Sequence, residues 1–465
     1  MKHLIKIIPV ILITVLLFSC KNKRLGNATR EDKNGWIYVH LSGSPADIGY
    51  QHGYLVANEI DTLIKVMQYY LPTTSHKDWA FYRAASKRFL WNKIDKEYQD
   101  EIKGIAEGLQ AKGMQYDSLD ITALNANIEL SQYYVPGLMN KLKPGSGDNK
   151  APGNCSAFIA TGSFTKDHKI VIGHNNWTDY IEGERWNVIA DIKPEKGNKI
   201  LMDCAPGFIH SGDDFVVTSS GILITETTIT GFKGFDTTRT PVFVRARKAA
   251  QYSNSIDDVI KIMVTDNNGG YANDWLIGDT KTNEVAKLEL GLINHPVWRS
   301  KDTSIIGSNF PQDPKLIKEE TTFDVNDKTS SPNARKTRMM QLVSYDYKGK
   351  LDATGAKAIE GDTYDALSGK NAFNKCVIDG HVEDDPNGCK EWSEPAYFPM
   401  GAVQGKITTT DLAQKMELWA HMGHPGGADF LAAPFFKKHP QYFKTQGKYL
   451  RDMKAYPWTL FVAAK

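Results

Sequence analysis

The chain has 465 residues, a hydrophobic content of 41%, 24% charged residues and a formal net charge of +2. Both signs are interspersed, with no basic stripe or arm, so nucleic-acid binding is excluded as a function class. Length and apolar content suffice for a large core or for two lobes around one site, and five cysteines are too few for a disulfide-stapled scaffold.

In chain order, Met1 to Lys6 is a short basic region, 7–18 is apolar, and Ser19-Cys20 precedes a polar stretch that begins at Lys21. The apolar run is short for a bilayer span and ends at a cysteine. It resembles a bacterial lipoprotein signal, in which Leu17 and Ser19 fit the lipobox and Phe18 is a less usual middle residue. The resemblance implies removal of 1–19, lipidation of Cys20, a flexible tether over 20–34 and a protein lipid-anchored in the bacterial cell envelope. The anchored face is the periplasmic face or the surface of the outer membrane.

Residues 36–140 read as mostly helical: Ile102, Ile105, Ala106 and Leu109 share a face, as do Ile121, Leu124 and Ile128. The composition then shifts, and 143–154, rich in Pro, Gly and Asn, reads as an exposed linker. After it the period is two. Strands are expected at 156–161, 169–174, 186–192, 199–204, 215–218 and 222–227, followed by helices at 242–252 and 256–264. Two more strands are expected near 275–278 and 285–290, polar insertions near 311–335 and 360–397, and a last helix over 409–420. Strands, a helical layer and strands again suggest stacked sheets covered by helices.

Gly153-Asn154-Cys155-Ser156-Ala157 carries the chemistry. A thiol that attacks the carbonyl of Asn154 gives a thioester, and its hydrolysis frees an α-amine on Cys155. That amine titrates at about 7.7–8.0 when unperturbed, so it serves as base for its own side chain without a separate histidine. The bland alternative is a buried cysteine opening a strand. His174, at the end of the next strand, comes beside the start of the first and is a candidate to hydrogen-bond the Cys155 amine or thiol, or to orient a water. Its alternative is a strand-end histidine bonded to backbone. Asn175 and Trp177 are candidate pocket residues, Trp177 otherwise core. Asn273 and Asn309 are candidate oxyanion donors, each otherwise a loop asparagine. Thr227 closes a strand and is a candidate substrate contact.

Other groups carry less. Cys376 and Cys389 flank a polar loop and are open either to a disulfide in an oxidising compartment or to two free thiols; Cys204 reads as core. Arg245 and Arg247 sit on an expected helix as structural ion-pair formers. His421 and His424 are spaced for a metal, yet Gly423 and Pro425 break the helix that would aim them and no third ligand has a recognisable spacing. The expectation is a loop at the active-site rim, with no metal and no cofactor. No Gly-x-Ser-x-Gly elbow is present.

The blocks Cys155-Ser156-Ala157, His174-Asn175-Asn176-Trp177, Ser211-Gly212-Asp213-Asp214-Phe215, Ser220-Gly221-Ile222 through Glu226-Thr227-Thr228, and Asn268-Gly269-Gly270-Tyr271-Ala272-Asn273-Asp274-Trp275 occur in one order. Together they resemble the phospholipase B-like proteins, a branch of the N-terminal-nucleophile (Ntn) hydrolases, over most of 155–310. Gly43-Ser44-Pro45 through Gln51-His52-Gly53 and Asn154-Cys155 resemble the helical chain and processing site of penicillin acyltransferase-like and acid-amidase enzymes of that superfamily. Those amidases carry arginine and aspartate where this chain has His174 and Trp177, whereas Arg335 and Arg338 resemble an arginine pair of theirs.

The resemblance implies an α+β fold, a four-layer αββα sandwich. It implies a helical N-terminal chain over 35–154 that stays associated after cleavage between Asn154 and Cys155, and a catalytic domain over 155–465. Asp213 and Asp214 fall in its site region, Asp214 as a substrate contact; the bland alternative is a solvated turn pair. The implied activity is hydrolysis of an amide or ester in a small acylated substrate or lipid. The alternatives are an acyltransferase of the penicillin acyltransferase type and a catalytically silent, lipid-anchored binding protein.

Overall fold

The strand that begins at Cys155 is buried at every position, because both of its faces are covered. The computed structural model describes residues 23–142, 155–213 and 215–464. The signal segment 1–19, Cys20, the linker 143–154 with Asn154, and Asp214 lie outside the described residues.

Seventeen strands form among the described residues: β1 (Thr29–Lys33), β2 (Trp36–Gly43), β3 (Cys155–Thr161), β4 (Val171–Asp179), β5 (Val188–Pro194), β6 (Ile200–Cys204), β7 (Val216–Thr218), β8 (Ile222–Thr228), β9 (Asn273–Asp279), β10 (Glu284–Glu289), β11 (Val297–Ser300), β12 (Thr303–Gly307), β13 (Tyr364–Asp365), β14 (Lys370–Asn371), β15 (Met400–Thr409), β16 (Glu417–Met422) and β17 (Thr459–Val462). The order β1-β2-β5-β6-β7-β8-β9-β10-β11 makes a nine-stranded sheet, and β12-β3-β4-β15-β16-β17 a six-stranded one. β13 and β14 pair by themselves.

Side-chain alternation sorts each strand between two layers. Ile189, Leu201, Val217, Leu223 and Leu276 of the larger sheet meet Ala157, Ile159, Ile170 and Ile172 of the smaller one. Their chain neighbours Val188, Ala190, Ile200, Met202 and Ile277 pack instead against helices Pro45–Leu55, Ala57–Thr74, Lys96–Ala111 and Val242–Tyr252. On the far side of the smaller sheet, Phe158, Ala160 and Val171 are covered by helices Ser331–Gln341 and Ala353–Glu360 through Met339, Ala356 and Ile359. The chain is a mixed α+β fold with sheets in the middle and helices outside. Burial on both faces explains why these strands read as continuous apolar runs.

Helices Pro45–Leu55 and Lys96–Ala111 cross backbone to backbone. Each carries two glycines four apart, Gly49 and Gly53 on one, Gly104 and Gly108 on the other. A Cβ on Gly49 would stand 1.9 Å from the Glu101 carbonyl oxygen, and one on Gly108 2.5 Å from that of Tyr50. Only residues without a side chain allow this approach.

Several expectations are corrected. The tether over 20–34 does not extend to residue 34: β1 begins at Thr29 and pairs with β2, with Arg30 bonded to Glu59 at 2.9 Å. The 35–154 segment is not wholly helical, since β2 runs parallel to β5 and extends the larger sheet. The helix over 409–420 is one turn, Thr410–Ala413, followed by strand β16. β15 went unread because Gln404, Gly405 and Lys406 interrupt an apolar pattern that tertiary contacts override. Helices 242–252 and 256–264 form at those bounds. Cys376 and Cys389 are both buried free thiols.

Candidate active site

β3 and β4 pair antiparallel with Cys155 opposite Asn176 and Ala157 opposite His174. The pleat therefore aims Cys155, His174 and Asn176 to one side, between the sheets. Ser156, Asn175 and Trp177 are aimed to the other, under the covering helices. β15 continues the inner row, with Gln404 beside Asn176 and Lys406 beside His174. The larger sheet supplies Asp203 of β6 and Glu226 of β8 from across the gap, and the loop before β7 supplies Asp213. All of these side chains are buried.

The backbone nitrogen of Cys155 donates to Asn309 Oδ1 at 3.1 Å, and its thiol lies 3.6 Å from Asn176 Oδ1. Asn309 follows β12 at φ 70°, a left-handed conformation that asparagine tolerates. Its Nδ2 donates to Thr228 O at 2.9 Å. One of its two donor hydrogens is used there, and its oxygen holds the Cys155 amide. From the outer side Arg335, on helix Ser331–Gln341, donates to Cys155 O at 2.6 Å, Ser156 Oγ at 2.9 Å and Asn309 Oδ1 at 2.7 Å. Its guanidinium lies 4.4 Å from the Trp177 ring centre, and Trp177 Nε1 donates to Ile378 O at 3.0 Å.

A sulfur of Cys155, a ring nitrogen of His174 and a carboxylate oxygen of Glu226 lie within 4.8 Å of one another. Glu226 accepts from Tyr271 Oη at 2.7 Å. His174 Nδ1 stands 3.9 Å from Asp213, which also takes Gln404 Nε2 at 3.2 Å and the ammonium of Lys406. Lys406 reaches Asp203 at 3.1 Å, and Ser211 Oγ bridges both aspartates at 3.0 Å.

Burial dominates the electrostatics here. It pushes the Cys155 thiol well above its ordinary range, and the charges of Glu226 and Asp213 push the same way. It drives His174 down to about 3, helped by the Lys406 charge. Burial alone would raise both aspartates; Lys406 nonetheless draws Asp213 down to about 2, while Asp203 stays well above its usual range because of burial and its charged neighbour. At neutral pH the thiol is protonated and the imidazole neutral, and a proton passing from one to the other moves uphill.

The sequence candidates divide by the pleat. Cys155, His174 and Asn309 come together. Asn175 and Trp177 point away from the thiol: Asn175 Nδ2 donates to Glu360 O at 2.7 Å, so it braces the covering layer instead of lining a pocket with Cys155. Trp177 borders the cleft described below from its outer edge. Thr227 and Asn273 are buried at the β8–β9 ladder end, next to the Thr228 carbonyl that Asn309 holds. Both amide atoms of Asn273 lack a hydrogen-bond partner. Asn176, Glu226 and Lys406 were missed as site residues. Period-two alternation from Cys155 carried a signal for Asn176, but nothing local marks Lys406.

His421 lies in β16 and His424 in the loop that follows it, and both are buried instead of lying at an exposed rim. The His424 ring stacks on His381 at 3.9 Å and 16°, and Asp379 and Glu383 flank the pair; Asp379, His381 and His424 form a second group with ligating atoms within 4.8 Å. Parallel stacked rings do not direct their lone pairs at one point; Glu383 lies 2.9 Å from His381 Nδ1 and Asp379 3.5 Å from His424 Nδ1.

A cleft of about 370 Å³ ends at this site, lined at its floor by Asn176 and Tyr271 and on its walls by Tyr70, Trp186 and Phe398. Both floor residues are one contact from the Cys155 thiol or from Glu226.

A model of the phospholipase B family matches residues 51–325. The chain belongs to that family. It is 25% identical to putative phospholipase B-like 1 of Caenorhabditis elegans over 63% of this chain and 57% of that one. It is 27% identical to phospholipase B-like protein C of Dictyostelium discoideum over 38% and 34%, and 24% identical to an uncharacterized Archaeoglobus fulgidus protein over 54% and 42%. The chain thus spans between about a third and 57% of the length of these relatives. Among solved structures, a variant of conjugated bile acid hydrolase from Clostridium perfringens is similar at TM-score 0.26 and 10% identity, over 58% of this chain and 81% of that one.

Proposed function

We propose that this chain is a self-processing Ntn-type hydrolase in which Cys155, freed as an N-terminal residue, cleaves the amide or ester bond of an acylated small molecule or lipid. The observation that carries the reading is the grip on Cys155. Its nitrogen is held by Asn309, its carbonyl by Arg335, and its thiol faces Asn176 between the sheets. The stacking of helices, sheet, sheet and helices supports an αββα sandwich with β3 at its heart.

In processing, Sγ attacks the Asn154 carbonyl, the carbon–nitrogen bond to Cys155 breaks, and the departing nitrogen takes the thiol proton. Water then hydrolyses the thioester, leaving a carboxylate on Asn154 and a free amine on Cys155. In turnover that amine takes the thiol proton and Sγ attacks the acyl carbonyl of the substrate. The oxyanion needs neutral donors. Asn176 Nδ2 and Asn273 Nδ2 are buried and unpartnered, which suits them to that task. The ammonium of Cys155 returns its proton to the leaving group, and water releases the acyl enzyme. His174, a weak base in its buried setting, stays uncharged beside the nucleophile. Asn309 Oδ1, fixed by Arg335, orients the amine.

We propose also that 1–19 are removed and that Cys20 carries the lipid that anchors the protein in the bacterial envelope. The basic, apolar, cysteine order of the first twenty residues supports this. Among the described residues no helix is long and apolar enough to cross a membrane.

Intact mass and N-terminal sequencing of the purified protein test the reading. Two polypeptides split before Cys155, with a new terminus Cys-Ser-Ala-Phe, are expected, and Cys155→Ala is expected to remain one chain without hydrolase activity. An uncut chain that still hydrolyses acyl substrates would refute it; an uncut, inactive chain favours the binding protein.

A further inference from the structure

The cleft that reaches Asn176 carries charge of one sign. Its charged lining residues among the described ones are Asp179, Glu182 and Glu394, with no lysine, arginine or histidine. Asp179 accepts a hydrogen bond from Tyr70 Oη at 2.6 Å, and the Arg185 charge acts on Glu182 from outside the cleft lining. The nearby guanidiniums are committed elsewhere. Arg185 donates to Ile181 O at 2.7 Å and Tyr449 O at 2.8 Å and pairs with Glu184. Arg335 lies behind Trp177 and Trp392 with its hydrogen bonds spent on Cys155, Ser156, Ser308, Asn309 and Ser331.

Two half-buried acidic side chains therefore share a cleft whose described lining holds no cation, Arg185 lying outside that lining. Burial and the Asp179 charge raise Glu182 to about 8 and burial raises Asp179 to about 6, so at neutral pH the pair alone holds about one negative charge, on Asp179, and a bound cation draws the remaining proton off Glu182. The walls add Tyr70, Trp186 and Phe398, whose rings favour a cation over an anion. At the floor, the unpartnered Nδ2 of Asn176, a residue 1% exposed, awaits an acceptor such as a carbonyl oxygen.

We infer that this cleft takes an acyl ester or amide whose other end carries an ammonium group and no phosphate: the carbonyl sits at Asn176 beside Cys155, and the cation between Asp179, Glu182 and the aromatic walls. A phosphate in the same position faces Asp179 and Glu182 with no cation in the described lining, so phosphate-bearing lipids are poor substrates. The inference rests on the proposed hydrolase for the position of the carbonyl, but not for the binding of the cation.

Two measurements on the purified full chain test it. Quenching of tryptophan fluorescence reports binding of phenyltrimethylammonium against phenylphosphate and the neutral benzyl alcohol. Hydrolysis compares an acylcholine, its uncharged 3,3-dimethylbutyl isostere and the lysophosphatidylcholine of the same acyl chain. The cation is expected to bind, and the acylcholine to be cleaved, about tenfold or more better than the neutral partner, with the phosphate compounds last. Asp179→Asn and Glu182→Gln are each expected to shrink that preference, and together to abolish it. Tyr70→Phe, which leaves both carboxylates, is expected to retain it. Equal or better handling of the neutral or phosphate compound, or no binding of the ammonium probe, overturns the inference. Ammonium binding without cleavage of any ester leaves the inference standing and removes the hydrolase.

Discussion

The two faces of the β3–β4 pair are equally buried and do opposite things. On the outer face Arg335 spends its guanidinium on five neighbours, Trp177 bonds a carbonyl, and Asn175 braces Glu360. On the inner face both His174 nitrogens, Asn176 Nδ2 and Gln404 Oε1 have no hydrogen-bond partner, although every one of these side chains is buried. Unmade hydrogen bonds in a dry interior cost stability. The outer face holds the nucleophile still, with Asn175 Oδ1 and the Glu360 carboxyl unpartnered away from the thiol, and the inner face keeps unpartnered donors and acceptors beside it.

Breaking the inner face at its charge is expected to cost most. Lys406→Met leaves Asp203 and Asp213 together without their cation and is expected to destabilise by about 3–5 kcal/mol, read from the urea midpoint. Arg335→Ala strands the carbonyl of Cys155 and the amide of Asn309, for a loss on the order of 3 kcal/mol and no processing. Arg335→Lys is expected to recover charge but little processing, because one ammonium cannot replace the planar fork.

The inner face also predicts an acid response. His174 has a folded pKa near 3, below its unfolded value of about 6.5, so between those pH values the unfolded chain binds the proton and the folded chain does not. Stability is therefore intact above about pH 6.5 and falls as pH drops toward 3. In His174→Gln the slope of midpoint against pH is expected to be shallower over that window; an unchanged slope would place the acid sensitivity elsewhere.

The smallest effect is expected on the outer face. A Cβ on Gly380 would lie 1.9 Å from Trp177 Cη2, so Gly380→Ala is expected to displace the indole, shift its emission and cost about 1–3 kcal/mol. Its processing is expected to slow less than that of Arg335→Ala, since the bonds to Cys155 remain.

Much of the core was legible because strands buried on both faces and amphipathic helices write their periods into the chain. Helices Val242–Tyr252 and Ile256–Val264 are examples. Cys155 was legible from a turn-rich linker that hands over to a strand. β15 was not, because Gln404 and Lys406 are polar residues in a fully buried strand, stable there only against Asp203 and Asp213 from distant segments. β2 was hidden for a similar reason: its partner β5 lies some 150 positions along the chain, and β1 enters the sheet only through β2.

The sequence by itself determined the alternation that buries Cys155 and the residue types beside it, since periodicity and side-chain chemistry are local properties. Only the tertiary structure decided that Asn176, not Asn175, meets the thiol, that Asn309 accepts from the Cys155 amide, and that the described lining of the cleft holds no cation. Those outcomes depend on strand register and on groups brought together across hundreds of residues, which no local pattern encodes.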